Sequence, residues 1–123
     1  MPSTIMWMSQ HTPTLRQKEE LERLFPGHIL LVDPRPFDGV DDILARYKLA
    51  QADEMVVVAP LTVMRALVRQ GLHPIYAEMR SCSPKSPLAE VYVGQRAYHF
   101  VAFHRVDAVT LKLTKLEPKK EGG

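Results

Sequence analysis

Across the first 80 residues, short apolar runs alternate with apolar stripes at helical spacing. Residues 4–8 are apolar without alternation, the pattern of a strand covered on both faces. The polar turn Ser9-Gln10-His11-Thr12-Pro13-Thr14 follows, and a helical pattern begins at Leu15. Leu15, Leu21, Leu24 and Phe25 share one face, and Arg16, Lys18, Glu19, Glu20, Glu22 and Arg23 mark the solvated one. Two start signals compete: Thr12 capping with Pro13 at the first helical position, or Thr14 capping with Gln17 completing a capping box. Pro26-Gly27 ends the helix. Residues 28–33 read as a second strand, apolar along its middle, and Pro34 and Pro36 stiffen the loop over 33–39. Val40, Ile43, Leu44, Tyr47 and Ala50 predict a helix over 40–50. Three consecutive valines make 54–59 the clearest strand, central and buried on both faces. Pro60 breaks it, and Thr62 is placed to cap a third helix that turns Val63, Met64, Leu67 and Val68 inward and ends at Gly71. Residues 73–79 form a fourth strand, more polar and therefore expected nearer an edge.

Three strand–helix units closed by a fourth strand imply a parallel sheet with helices on its faces. Beyond Arg80 the pattern changes. Ser81-Cys82-Ser83-Pro84-Lys85-Ser86-Pro87 is turn-rich, and three strand-like segments follow without helices, over 88–93, 97–106 and 108–116. Gly94-Gln95 joins the first two as a hairpin, and Val106-Asp107 suggests a tight turn or bulge into the third. There Val109, Leu111 and Leu113 alternate with Thr110, Lys112 and Thr114. The expected fold is α/β: a Rossmann-like three-layer domain with four parallel strands over 1–80. An antiparallel β extension of the same domain would cover 81–116, and a charged, disordered tail 117–123.

A chain of 123 residues can bury a core as one domain, and 46% hydrophobic with 24% charged residues is ordinary for a globular protein. The net charge of +2 does not by itself call for a nucleic-acid or membrane partner. Cys82 is the one cysteine, so neither an intrachain disulfide nor a C-x-x-C pair exists, and it reads as an ordinary loop or buried thiol. Residues 1–8 lack the basic start and long apolar core of a signal peptide. No run approaches the roughly 18 apolar residues of a membrane span, so a soluble, cytoplasmic chain is expected.

Candidate chemistry gathers where strands end. Ser9, Gln10, His11 and Thr12 follow the first strand, where hydroxyl, amide and imidazole groups could bind a phosphate or ribose beside helix N–H groups. The same residue types are common in turns and caps. No glycine-rich fingerprint is present, which disfavours a dinucleotide or P-loop site. Pro60 and Thr62 would border the same crevice if the strand order places strands one and three side by side. Tyr76, Glu78 and Arg80 alternate and so share a strand face, where a guanidinium would suit phosphate. The histidines show no metal-ligand spacing, and His99 and His104 are expected on opposite faces of one strand, so no metal is expected. Only His11 lies where a general acid or base would be useful. Asp33, Asp38, Asp41 and Asp42 read as capping the second helix rather than as a magnesium site.

Met8-Ser9-Gln10-His11-Thr12-Pro13-Thr14-Leu15-Arg16-Gln17 and, later, Gly71-Leu72-His73-Pro74-Ile75-Tyr76-Ala77-Glu78-Met79-Arg80 resemble segments of one protein group. These are the stand-alone ring nucleases, small CRISPR-associated proteins with a CARF-like Rossmann domain. The resemblance follows the element order through about residue 80 and departs in placing Gln10 between Ser9 and His11. It implies a homodimer binding a cyclic oligoadenylate across two crevices. Cleavage would need no metal or cofactor, a ribose 2′-hydroxyl attacking the adjacent phosphate. Ser9, His11 and Gln17 match the first motif, Tyr76 and Arg80 the second. The implied catalytic set is Ser9, His11 and Arg80, with Arg80 meeting the phosphate charge. Gln10, Thr12, Gln17, Pro60, Thr62, Tyr76 and Glu78 would contact ligand, although Gln17 is equally a capping-box residue. A competing expectation is a non-catalytic nucleotide sensor or dimeric adaptor on the same fold. Binding of a nucleic-acid polymer through Arg96, Arg105, Lys112 and Lys115 ranks last, because those charges suit a solvated face.

Overall fold

The computed structural model describes residues 2–110 and 114–118, and in it six strands and three helices form one mixed α/β unit. The elements run β1 (Thr4–Met8), α1 (Leu15–Leu24), β2 (Ile29–Asp33), α2 (Gly39–Leu49), β3 (Glu54–Val57), α3 (Leu61–Arg69), β4 (Ile75–Cys82), β5 (Val91–Val93) and β6 (Arg96–Arg105). The sheet order is β2-β1-β3-β4-β6-β5. β1 pairs parallel with β2 and β3, and β3 meets β4 in parallel at Val56 and Ile75 alone. β6 runs antiparallel to β4 and to β5.

Apolar runs without alternation in β1 and β3 bury both faces of the sheet's centre. Ile5, Trp7 and Val56 pack with Leu21 of α1 and Ile75 on one face. Met6, Met8, Met55 and Val57 pack on the other with Ile43 of α2 and with Met64 and Leu67 of α3. Burying such side chains is worth about 1.5–3 kcal/mol each, which is what anchors three short amphipathic helices.

Several expectations change. β4 lies inside the sheet, because β6 covers the side that its polar residues seemed to leave open. It also runs on through Ser81 and Cys82, which were expected in a loop. The edges are β2 and β5 instead, and the apolar middle of β2 is largely exposed. Of the expected third segment over 108–116, residues 108–110 and 114–116 form no strand and 111–113 lie outside the described residues, as does 119–123 of the expected tail. Leu15 was expected on the buried face of α1 but is 72% exposed, standing at the first helical position on the lining of an open hollow. α3 begins at Leu61 with Pro60 at the cap, so Thr62 is its second residue and cannot cap it.

Across Glu78–Met79 the ladder advances one residue on β4 and two on β6, which places an extra residue in β6. The bulge reverses the expected parity: His104 pairs with Tyr76 and His99 with Arg80, so the two histidines share a face.

Candidate functional site

With β1 flanked by β2 and β3, the chain leaves β1 toward one side of the sheet and leaves β3 toward the other. The turns after these two strands therefore diverge and open a crevice at the sheet's carboxyl edge, where ligands of open α/β sheets bind. Three cavities of about 580, 290 and 260 Å³ adjoin there, and His11 lines all three.

The turn that carries His11 is held from below and within. The indole Nε1–H of Trp7 donates to the His11 carbonyl at 2.8 Å, and the His11 N–H donates to Ser9 Oγ at 3.2 Å. Ser9 is buried, while Gln10, His11 and Thr12 are exposed. A side chain that stabilises its own turn is what serine favours there, and it leaves the Ser9 hydroxyl hydrogen for another acceptor. Ser9 and Gln10 line the 290 Å³ cavity with Arg35, Pro36, Phe37 and Val58.

At the start of α1 the second capping alternative is the one adopted. Thr14 Oγ1 accepts from the Gln17 N–H at 3.2 Å, and Gln17 Oε1 accepts from the Thr14 N–H at 2.8 Å. Gln17 is buried and its Nε2 reaches Met79 Sδ at 3.5 Å. Its polar atoms are thus used by the cap and the core, although it borders the 260 Å³ cavity. The Thr14 hydroxyl donates onward to Glu90 Oε1 at 2.9 Å. Glu90 Oε2 accepts from the Phe100 N–H at 2.6 Å and from Arg16 Nη1 at 3.2 Å, while Arg16 also donates to the Phe100 carbonyl at 2.9 Å. Arg16 and Glu90 together extend the ladder along β6 beyond the end of β5 and fasten the hairpin to α1.

That fastening roofs the 260 Å³ cavity. Trp7, Met79, Val58, Val91, Val93 and Tyr98 supply apolar and aromatic surface, and Ser9, His11 and Thr12 the polar end. Tyr76, 46% exposed, stands at the same cavity. The larger hollow beside it runs along Thr12, Pro13, Thr14, Leu15 and Arg16, over the first helix amides, which have no intrahelical acceptor.

The other residues expected at the site are not in this group. Arg80 donates to Glu78 Oε2 at 3.1 Å and lines a further hollow with His99 and Phe100, which shares Arg16 and Glu90 with the 580 Å³ one but does not reach His11. Glu78 also meets His104 Nε2 at 2.8 Å, and that hydrogen bond, followed by the nearby Arg80 charge, holds its carboxyl below the ordinary value. Pro60 and Thr62 line none of the three cavities sharing His11. In the hairpin, Arg105 is paired with Glu54 at 2.9 Å.

The loop after β2 is fixed by a buried carboxylate. Asp33 accepts from Arg35 Nε at 2.9 Å and Nη2 at 2.8 Å, and Arg46 Nη1 lies 3.5 Å away. The Arg35 hydrogen bonds pull the Asp33 carboxyl down to about 2 from 3.8, against the opposing effect of burial. Arg46 further donates to the Arg35 and Pro36 carbonyls, which sets the cavity wall. The aspartates thus act within the structure, though not all as expected: Asp38 occupies the α2 cap without a side-chain cap bond, and Asp42 accepts from its N–H. Among the described residues no group of three or more His, Cys, Asp or Glu could hold a metal ion. Among the described residues no helix is long and apolar enough to cross a membrane.

Sequence reasoning did not single out Trp7, Met79, Tyr98 or Glu90. The first three read as core by hydrophobicity, and only Glu90, one acid between Ala89 and Val91, stood out from its surroundings. Comparison of the chain with protein families, with curated proteins and with solved structures finds no match.

Proposed function

We propose that the crevice around His11 binds a nucleotide, with its base in the 260 Å³ cavity and its phosphate along the start of α1. The observation that carries this reading is the adjacency of two unlike spaces: an aromatic and apolar slot, and a hollow along the first turn of α1, where Leu15 and Arg16 N–H groups lack an intrahelical acceptor. A cyclic oligoadenylate offers that alternation of flat base and phosphate, in keeping with the resemblance of the Ser9–Gln17 and Gly71–Arg80 segments and with a Rossmann-like assignment of the four parallel strands. In a ring-cleaving form, Ser9 would orient the ribose and His11 would take the 2′-hydroxyl proton as that oxygen bonds to the adjacent phosphorus. The P–O5′ bond breaks, the leaving 5′-oxygen takes a proton from water, and a 2′,3′-cyclic phosphate and a 5′-hydroxyl remain.

Binding without turnover is the second reading, and a specific observation favours it. The guanidinium groups nearest the crevice, Arg16 and Arg35, are committed to Glu90 and Asp33, and Arg80 is held by Glu78. Cleavage would then rest on helix amides alone for phosphate charge. The deciding experiment is isothermal titration with cyclic tetra- and hexa-adenylate, followed by chromatography of the mixture. Heat and linear product, both lost in His11→Ala, support the nuclease. Heat with intact rings supports a sensor. Absence of heat with either ring, and with adenosine monophosphate, overturns the nucleotide reading.

A further inference from the structure

We infer that Gln17 reads the base: its side-chain Nε2 donates to a ring nitrogen of the adenine in the 260 Å³ cavity, an assignment that rests on the nucleotide reading above. Of the three buried polar residues among those described, Ser9, Gln17 and Asp33, the first two line that cavity. Gln17 is 4% exposed, and its Oε1 accepts from the Thr14 N–H at 2.8 Å. That bond fixes the amide with its nitrogen turned away from the cap. Nε2 lies 3.5 Å from Met79 Sδ, and since Met79 and Gln17 both line the cavity, this contact lies in its wall. An amide nitrogen carries two hydrogens and a thioether is a weak acceptor, so Met79 takes one at most. No other group among the described residues accepts from Nε2. A buried donor hydrogen without a good acceptor is costly, and a ligand acceptor in the cavity removes that cost.

The helix cap does not account for this nitrogen. A capping box uses one oxygen at the third helical position, and glutamate supplies it as well as glutamine does. A carboxylate would also suit the first turn of α1, which carries no acid. What glutamine adds is the NH₂ group, and in this chain that group stands in the cavity wall. Its orientation carries the specificity. Turning the amide over to present its oxygen would break the Thr14 bond, so the cavity meets its ligand there with a donor. Adenine answers with N1, N3 or N7, each an acceptor, whereas its 6-amino group is a donor and cannot. An apolar ring of the same shape would fill the space among Trp7, Met79 and Tyr98 and leave Nε2 unmatched. A site built around a hydrogen bond rejects such a ring.

The test uses the full chain and adenosine 5′-monophosphate with its 1-, 3- and 7-deaza analogues, each of which replaces one ring nitrogen by C–H. Isothermal titration should find one analogue about tenfold weaker than the parent and the other two within about twofold of it. Gln17→Glu keeps an oxygen on the Thr14 N–H and puts a second oxygen where the nitrogen stood. With an unchanged circular dichroism spectrum, it should bind the parent and that one analogue equally. A role confined to the cap would weaken all four compounds alike and leave their ratio untouched. Ser9 is the other buried donor at the cavity, so Ser9→Ala supplies the control, and the ratio persists there. The native chain and Ser9→Ala decide the matter even if Gln17→Glu does not fold. Three analogues that bind the native chain like the parent, a ratio that survives Gln17→Glu, or one that disappears in Ser9→Ala overturns the assignment and leaves the nucleotide reading standing. No heat with the parent compound overturns both.

Discussion

Trp7 is the chain's one tryptophan, and its indole is both core and cavity lining. Its tie to the His11 carbonyl makes it a built-in reporter of the turn. Adding a bound nucleotide should shift or quench its emission, and Ser9→Ala should weaken that response by loosening the turn; titration fluorimetry reads both. Asp33 is the residue with the clearest dependence on acid. Its folded-state value of about 2 lies below the ordinary 3.8, so its contribution to stability is full above about pH 4 and is lost as pH falls toward 2. Urea midpoints measured between pH 5 and 2.5 should fall more steeply for the native chain than for Asp33→Asn, which lacks that carboxyl. From the sequence, Asp33 read as a helix-capping acid; its hold on Arg35 and Arg46 depends on a loop path that spacing does not encode.

Helices were legible because each carries local signals: a capping box at Thr14, apolar residues at helical spacing, and Gly71 with φ of 82° past the end of α3. Replacing the cap, Thr14→Ala, should cost about 1 kcal/mol from the helix alone. The same change removes a donor to Glu90, so the measured loss in chemical denaturation should exceed that of Glu90→Gln. Strand positions were legible too, whereas strand neighbours were not. Polar residues on β4 suggested an edge, because a sequence shows that one face is polar and not that β6 lies alongside. The bulge in β6 is likewise silent in the sequence, and it alone decides that His99 and His104 share a face. The candidate site was half legible for the same reason: Ser9 and His11 belong to one turn, but the neighbours that give the turn a cavity come from β4, β5 and β6.

For the whole molecule, the sheet's centre sets stability. Leu67 is fully buried between α3 and the sheet, so Leu67→Ala should cost about 2–5 kcal/mol and lower the melting temperature without changing oligomeric state. One disparity in length shapes the crevice itself. β3 stops at Val57, while β4, joined to it at Ile75 alone, runs on to Cys82 and is braced along its other side by β6. The wall that rises past β3 thus presents peptide groups as well as side chains. Peptide groups are the same whatever residue carries them, so recognition built on that wall would tolerate drift in the amino acids along β4. Proline is the exception, since it alone deletes an amide hydrogen; a proline scan of 77–81 would locate the contacts that an alanine scan passes over.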